Sequence, residues 1–395
     1  MAAVVLSAPT CVLADTDRVT DQTVWSSWDL SASIVIPTGL ALAIYAMGLI
    51  RRPGAFDAHP WRSMAYIWGV LTAFLSLSSP IDALSDHLFF MHQVQHMLLR
   101  VIAPMLVALS QPQAELIAGL PPWLRRGGLA PVAGAGAVRA TFGFLTRPVV
   151  ATALFVGSLY VWQWPPLHDL AILNEGVHYV MHTTMLAAGL LFFWRVFDKR
   201  PAPKGTPFGA RLMMLWIAVL ANIPIGAYTT FKGRVLYPAY DVVGRLFHIA
   251  PISDERLGGF IMWAPGSMMM LVAVLVVIHD WAGFEDKMDD RRLARIARGL
   301  ASAAPATASA LIERQQPKNR ALAWGLAGFV LCMLAATLAI GVLAVHPRPP
   351  APGEMAGAGP AITGDSSRAV AAIGLSPPTT DSGPREPGPL AAHAR

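Results

Sequence analysis

Long apolar runs separated by short polar connections dominate the chain. They lie at residues 33–50, 63–79, 89–109, 149–164, 177–197, 212–231, 257–279 and 322–345. A helix rises about 1.5 Å per residue, so crossing about 30 Å of hydrocarbon takes about 20 apolar residues. The second and fourth runs are short by that measure. None alternates with a period of two, which argues against strands. The pattern predicts an all-α polytopic membrane helix bundle: seven core transmembrane helices plus one additional C-terminal transmembrane helix. It divides the chain into an outer N-terminal segment (1–32), a seven-helix membrane core (33–281), a basic cytoplasmic linker (282–320), an eighth transmembrane helix (321–346) and a tail (347–395). The tail is rich in Pro, Gly, Ala and Ser, with little to bury, and reads as disordered and outside.

Composition agrees. Of 395 residues, 54% are hydrophobic and 14% charged, against about 25% charged in a soluble domain. A nucleic-acid-binding domain is excluded by the same deficit. The two cysteines, Cys11 and Cys332, are too few and too far apart for a disulfide framework or a cysteine zinc site.

Charge placement sets the orientation. Twenty Lys and Arg fall in one alternate set of connections and nine in the other. The positive-inside rule then puts the basic set in the cytoplasm and both termini outside. Residues 1–14 are apolar and end in Val-Leu-Ala before Asp15, as a signal peptide does, but they lack a basic n-region and Pro9 interrupts them. Residues 285–298 form a charged helix suited to anionic headgroups.

Histidine is the remaining unusual residue. The orientation puts His87, His92, His96, His168, His178, His182 and His248 on the outer side and only His59 and His279 on the cytoplasmic side. Buried imidazole is costly in a membrane and marks a functional candidate. His92, His96 and Arg100 recur every four residues, so they line one helix face; His178 and His182 repeat that spacing on the fifth span. Both helices begin on the outer side, so the two pairs lie at similar depth. Facing one another, they make a pocket of four imidazoles, with thioethers near at Met91, Met97, Met181 and Met185. Imidazole with thioether suits copper. One axial imidazole from each helix also suits haem. The blander reading is that these histidines hydrogen-bond backbone and hold helices together. Arg100 calls for a partner, for which Asp254, Glu255, Asp169 or a bound anion are the options. Pro224 predicts a kink in the sixth span, and Gly258 with Gly259 a close helix approach in the seventh.

Four motifs in order carry a resemblance: His92-Gln-Val-Gln-His-Met-Leu-Leu-Arg-Val-Ile-Ala-Pro-Met-Leu, Trp164-Pro-Pro-Leu-His-Asp, Asn174-Glu-Gly-Val-His-Tyr-Val-Met-His and Asp254-Glu-Arg-Leu-Gly-Gly-Phe-Ile-Met-Trp-Ala-Pro-Gly. Over about residues 28–281 the chain resembles the polytopic CtaG family of cytochrome c oxidase assembly proteins of bacterial plasma membranes. These are distinct from the single-span copper chaperone of the same name. The resemblance implies a role in maturing a haem–copper oxidase, through copper supply to one of its subunits. It maps the family's histidines onto His96, His178 and His182 and its acid before Gly-Gly onto Asp254. Glu255 stands where glutamine is usual.

The reading is an assembly factor, not an enzyme, in a bacterial plasma membrane. Its partners are cytochrome c oxidase subunits and the lipid membrane. Its metal site would be His92, His96, His178, His182, Met181 and Asp254, for copper. The alternatives are a haem-binding membrane redox protein and a copper transporter; no cytoplasmic His/Met trail matches the outer one. No nucleophile–base spacing, phosphate loop or dinucleotide fingerprint occurs.

Overall fold

The computed structural model describes residues 19–200 and 205–300, with the isolated Ala335. The first 18 residues, most of the expected eighth span and the tail lie outside the described residues. Every element within them is helical. The main helices are α1 (Ala32–Arg51), α2 (Pro60–Ser78), α3 (Pro80–His87), α4 (Phe89–Ser110), α5 (Pro148–Trp162), α6 (Pro165–Leu173), α7 (Glu175–Val196), α8 (Phe208–Phe231) and α9 (Pro251–Leu300). Among the described residues, five of these are long and apolar enough to cross a membrane: α1, α4, α7, α8 and α9. Counting each bent helix pair as one span raises the number to seven. On α1, Ile36, Leu40, Met47 and Ile50 are exposed, an apolar face suited to lipid.

Four differences from the expected spans appear, and the first three have local causes. The second span breaks at Ser79 and bends by 48° into α3, because Pro80 starts a new helix capped by the Ser79 hydroxyl, which accepts from the Ile81 amide at 3.2 Å. The fourth span is only 15 residues, about 22 Å of helix, and Pro165 restarts the chain as α6. Residues 110–148, expected to be a basic connection, contain helices Leu124–Gly134 and Gly136–Leu145, bent by 70° and jointly apolar enough to enter a membrane. Their glycines and arginines dilute the hydropathy that marks a span in sequence. At the other end, α9 runs past the expected boundary at 281 as one helix to Leu300.

Two contacts bring the histidine faces together. Within α4, residues Leu98–Ile102 form a π-helical turn just before Pro104. Proline has no amide to offer the carbonyl four residues back, at Arg100, and the wider turn absorbs its ring. Gly189 of α7 packs against that Arg100 carbonyl so closely that a Cβ there would overlap it. In α9, Gly258 seats against the Phe89 ring at the start of α4 in the same way, as the expected close approach requires. Beyond the histidines, α4, α5, α7, α8 and α9 share an apolar core around Val101, Phe155, Phe192, Phe193, Leu215 and Val277.

Candidate metal centre

The N-terminus of α4 is fixed by an acid on α9. Asp254, fully buried, accepts from the Phe89 amide at 3.0 Å through one carboxylate oxygen and from the Phe90 amide at 2.9 Å through the other. These are orphan donors of the first helical turn, and the helix dipole favours an anion there. Arg245 completes the ion pair. The neighbouring Glu255 performs the same service for the preceding loop: it pairs with Lys232 and accepts from the Leu236 and Tyr237 amides, each at 2.9 Å. The short spacing from Asp254 and Glu255 to Arg245 and Lys232 thus ties residues 232–245 to the start of α4.

On the helix so placed, His92 and His96 approach each other, with Nε2 atoms 2.7 Å apart. Across from them on α7 stand His178 and His182. Ring centroids are 5.2 Å apart for His92–His178, 5.7 Å for His92–His182 and 5.5 Å for His96–His182. One ring nitrogen each from His92, His96 and His182 lies within 4.8 Å of the others, and all three residues are buried. The two expected faces therefore do meet. His178 is the fourth imidazole and the least buried, with its side chain 15% exposed and Nδ1 3.6 Å from Asp86.

The hydrogen bonds decide which nitrogens are free. A carbonyl only accepts, so His92 Nδ1, 3.3 Å from the Ser85 carbonyl, carries its proton and leaves Nε2 as a lone pair. His96 Nδ1, His178 Nε2 and His182 Nε2 are buried with no partner. Unpartnered buried nitrogen is uncommon in a folded protein, and here three such atoms occur in one cluster. Neutral imidazoles at this separation suit a single soft or borderline ion, copper or zinc, better than a hard cation.

His168, not among the expected ligands, joins the cluster with its ring 5.1 Å from His92. It is already committed. Nδ1 donates to the Trp162 carbonyl at 3.0 Å, and Nε2 accepts from the Tyr240 hydroxyl at 2.9 Å. Burial pushes this imidazole down to about 4, against a smaller opposing effect of the Trp162 carbonyl. It is a neutral wall of the site. Sequence spacing missed it because α6 carries no second histidine four residues away; its one signal was the Trp164-Pro-Pro-Leu-His motif.

The other expected residues fall outside the triad. Asp254 spends both oxygens on the α4 cap and Arg245. Met181 is fully buried in an apolar cluster with Phe89, Trp162, Met185, Tyr240 and Met262. Arg100 meets none of the acids offered for it, because Asp254 and Glu255 are taken by Arg245 and Lys232. Its guanidinium donates to the Phe155 carbonyl at 2.7 Å and lies 3.7 Å from the Phe155 ring centroid, clamping α4 to α5. Below the triad, Gln93, His96, Arg100 and Asn222 line a cavity of about 30 Å³. That is room for a water or two.

Residues 43–283 match the family model described as cytochrome c oxidase caa3 assembly factor, CtaG type, and the chain belongs to that family. Similar curated proteins include uncharacterized proteins of Mycobacterium bovis and Mycobacterium tuberculosis, each 28% identical over 274 residues, and one of Mycobacterium leprae, 24% identical over 276. Each alignment covers 66% of this chain and 40% of the relative, so the chain spans about two fifths of the length of the curated relatives it matches. No solved structure matches it.

Proposed function

We propose that this member of the oxidase assembly family sits in a bacterial plasma membrane with both termini outside. There it holds copper transiently on His92, His96 and His182 and passes it to a subunit of a haem–copper cytochrome c oxidase. The observation that carries this is the buried triad of imidazoles within 4.8 Å, with a lone pair at His92 Nε2 and an unpartnered Nε2 at His182. Binding at the Nε2 atoms of both α4 histidines places the His96 proton on Nδ1. His178, less buried and beside Asp86, is the natural route in and out. Met181, one residue before His182, offers a thioether on the neighbouring face of α7. Asp254 serves the site by setting the start of α4.

The geometry favours one ion over a haem. Imidazole rings 5.2 to 5.7 Å apart across the two helices leave no slot for a porphyrin between them, and the adjoining cavity of about 30 Å³ is far smaller than the hundreds of Å³ that a large cofactor occupies. Changing His96 and His182 together to Ala should abolish cytochrome c oxidase activity in the host membrane while the variant still inserts. Full oxidase activity in that strain contradicts the proposal.

A further inference from the structure

At the opposite end of α7 lies a second feature that the metal reading does not use. From His182 to Lys199 is 17 residues, nearly all helical, or about 26 Å, close to the thickness of the hydrocarbon layer. There a pocket of about 690 Å³ opens between α2, the residues after α7, α8 and α9. Six cations converge on it: Arg62, Lys199, Arg200, Arg211, Lys287 and Arg291. Asp280 is the one acid in its lining.

Most of this charge is not neutralised. Asp198 is held by Arg195 at 2.9 Å and by Arg200 at 2.8 Å. Arg211 donates to the Thr206 carbonyl at 2.8 Å, which leaves its charge unpaired. Arg62, Lys199, Lys287 and Arg291 make no ion pair with a carboxylate among the described residues, and Arg62 Nε is buried without a partner. Lys287 and Arg291 are one turn apart on α9, so both point to the same side. Burial and the charges of Arg62 and Lys287 lower the Lys199 ammonium, outweighing the help it has from Asp280.

The rim has a different chemistry. Phe208 stacks on Trp281 with centroids 5.9 Å apart and meets Phe284 at 5.7 Å, and Trp281 and Phe284 are each more than a third exposed. Aromatic side chains beside basic ones mark the membrane interface. A ligand that fits both parts is anionic at one end and apolar at the other.

We propose that this pocket binds the phosphate of an anionic phospholipid headgroup, with the lipid's glycerol and upper acyl chains against Phe208, Trp281 and Phe284. Basic pockets at this level of a membrane protein recognise phosphate headgroups by charge and N–H donors. The inference is independent of the metal at the other end.

The test uses the full chain purified in a zwitterionic detergent. Phosphatidylglycerol, phosphatidylcholine or inorganic phosphate is added, and retained lipid is counted by native mass spectrometry alongside the thermal midpoint. Phosphatidylglycerol should be retained and should raise the midpoint, phosphatidylcholine and inorganic phosphate should do neither, and the effect should fade in high salt. K199Q/K287Q/R291Q should bind phosphatidylglycerol at least tenfold more weakly, whereas K287R/R291K, which keeps the charge, should bind it normally. Equal retention of phosphatidylcholine, an undiminished effect in high salt, or unchanged binding by the triple variant overturns the site. Stabilisation by inorganic phosphate alone overturns the lipid as its occupant.

Discussion

The Nε2 atoms of His92 and His96 lie 2.7 Å apart on successive turns of α4, with His92 held in one tautomer by the Ser85 carbonyl. An ion bound there replaces a contact between two imidazoles with two metal–nitrogen bonds. His92→Ala should therefore remove a ligand and free His96 together. Its cuprous affinity should fall by more than the roughly 10–100-fold that loss of a supporting hydrogen bond costs, while His178→Ala falls less. Competition against a cuprous chelator measures both; equal small losses would contradict the triad.

Asp254 should behave as a positioning residue. Asp254→Ala takes one carboxylate from Arg245, which keeps Asp241 at 2.7 Å, leaves the Phe89 and Phe90 amides without their acceptor, a loss of about 1–3 kcal/mol in stability, and frees the start of α4. Asp254→Asn keeps an acceptor for the Phe89 and Phe90 amides but not the charge. Both should bind metal more weakly, the alanine variant most, with bound-metal spectra unchanged at saturation. A changed X-ray absorption spectrum of the bound cuprous ion would instead make Asp254 a ligand.

His168 gives a pH dependence whose sign follows from its environment. Its folded value of about 4 lies below the ordinary 6.5, so the unfolded chain takes up more protons between those values. Stability is then complete above about pH 6.5 and declines as pH falls toward 4, by up to about 3 kcal/mol from this group. Thermal midpoints across that range should fall less steeply in His168→Gln than in the wild type. Tyr240→Phe should cost about 1–3 kcal/mol by leaving His168 Nε2 without its donor, with metal content intact.

Gly189 sets the distance between the two histidine helices. Gly189→Leu places a side chain against the Arg100 carbonyl and should cost about 1–3 kcal/mol, moving α7 away from α4. Metal affinity should drop although every ligand is present. Unchanged affinity with a lowered melting temperature would show that helix spacing does not limit the site.

The sequence made the helical class legible through run length, and the two pairs of histidines through their spacing of four. It could not show that those faces meet, because that depends on Gly189 reaching a carbonyl exposed by the π-helical turn at Pro104, a contact between residues 89 positions apart. The partners of Arg100 were misjudged for a related reason. Asp254 and Glu255 look free in sequence, yet Arg245 and Lys232 arrive from a loop and claim them first. His168 escaped because a lone histidine has no periodicity to read. The bent helices at 124–145 escaped because glycine and arginine weaken an apolar run without preventing a helix.

The central claim, a transient copper site on buried imidazoles, is tested most directly by metal and haem analysis of the purified protein. Wild type should be compared with the variant in which His92, His96, His178 and His182 are all Ala. The account predicts about one copper per chain after cuprous loading and no haem band in the wild type, with copper lost in the variant while the helical content is kept. Equal copper in both proteins, zinc in place of copper, or an intense haem band that the four substitutions abolish would contradict it.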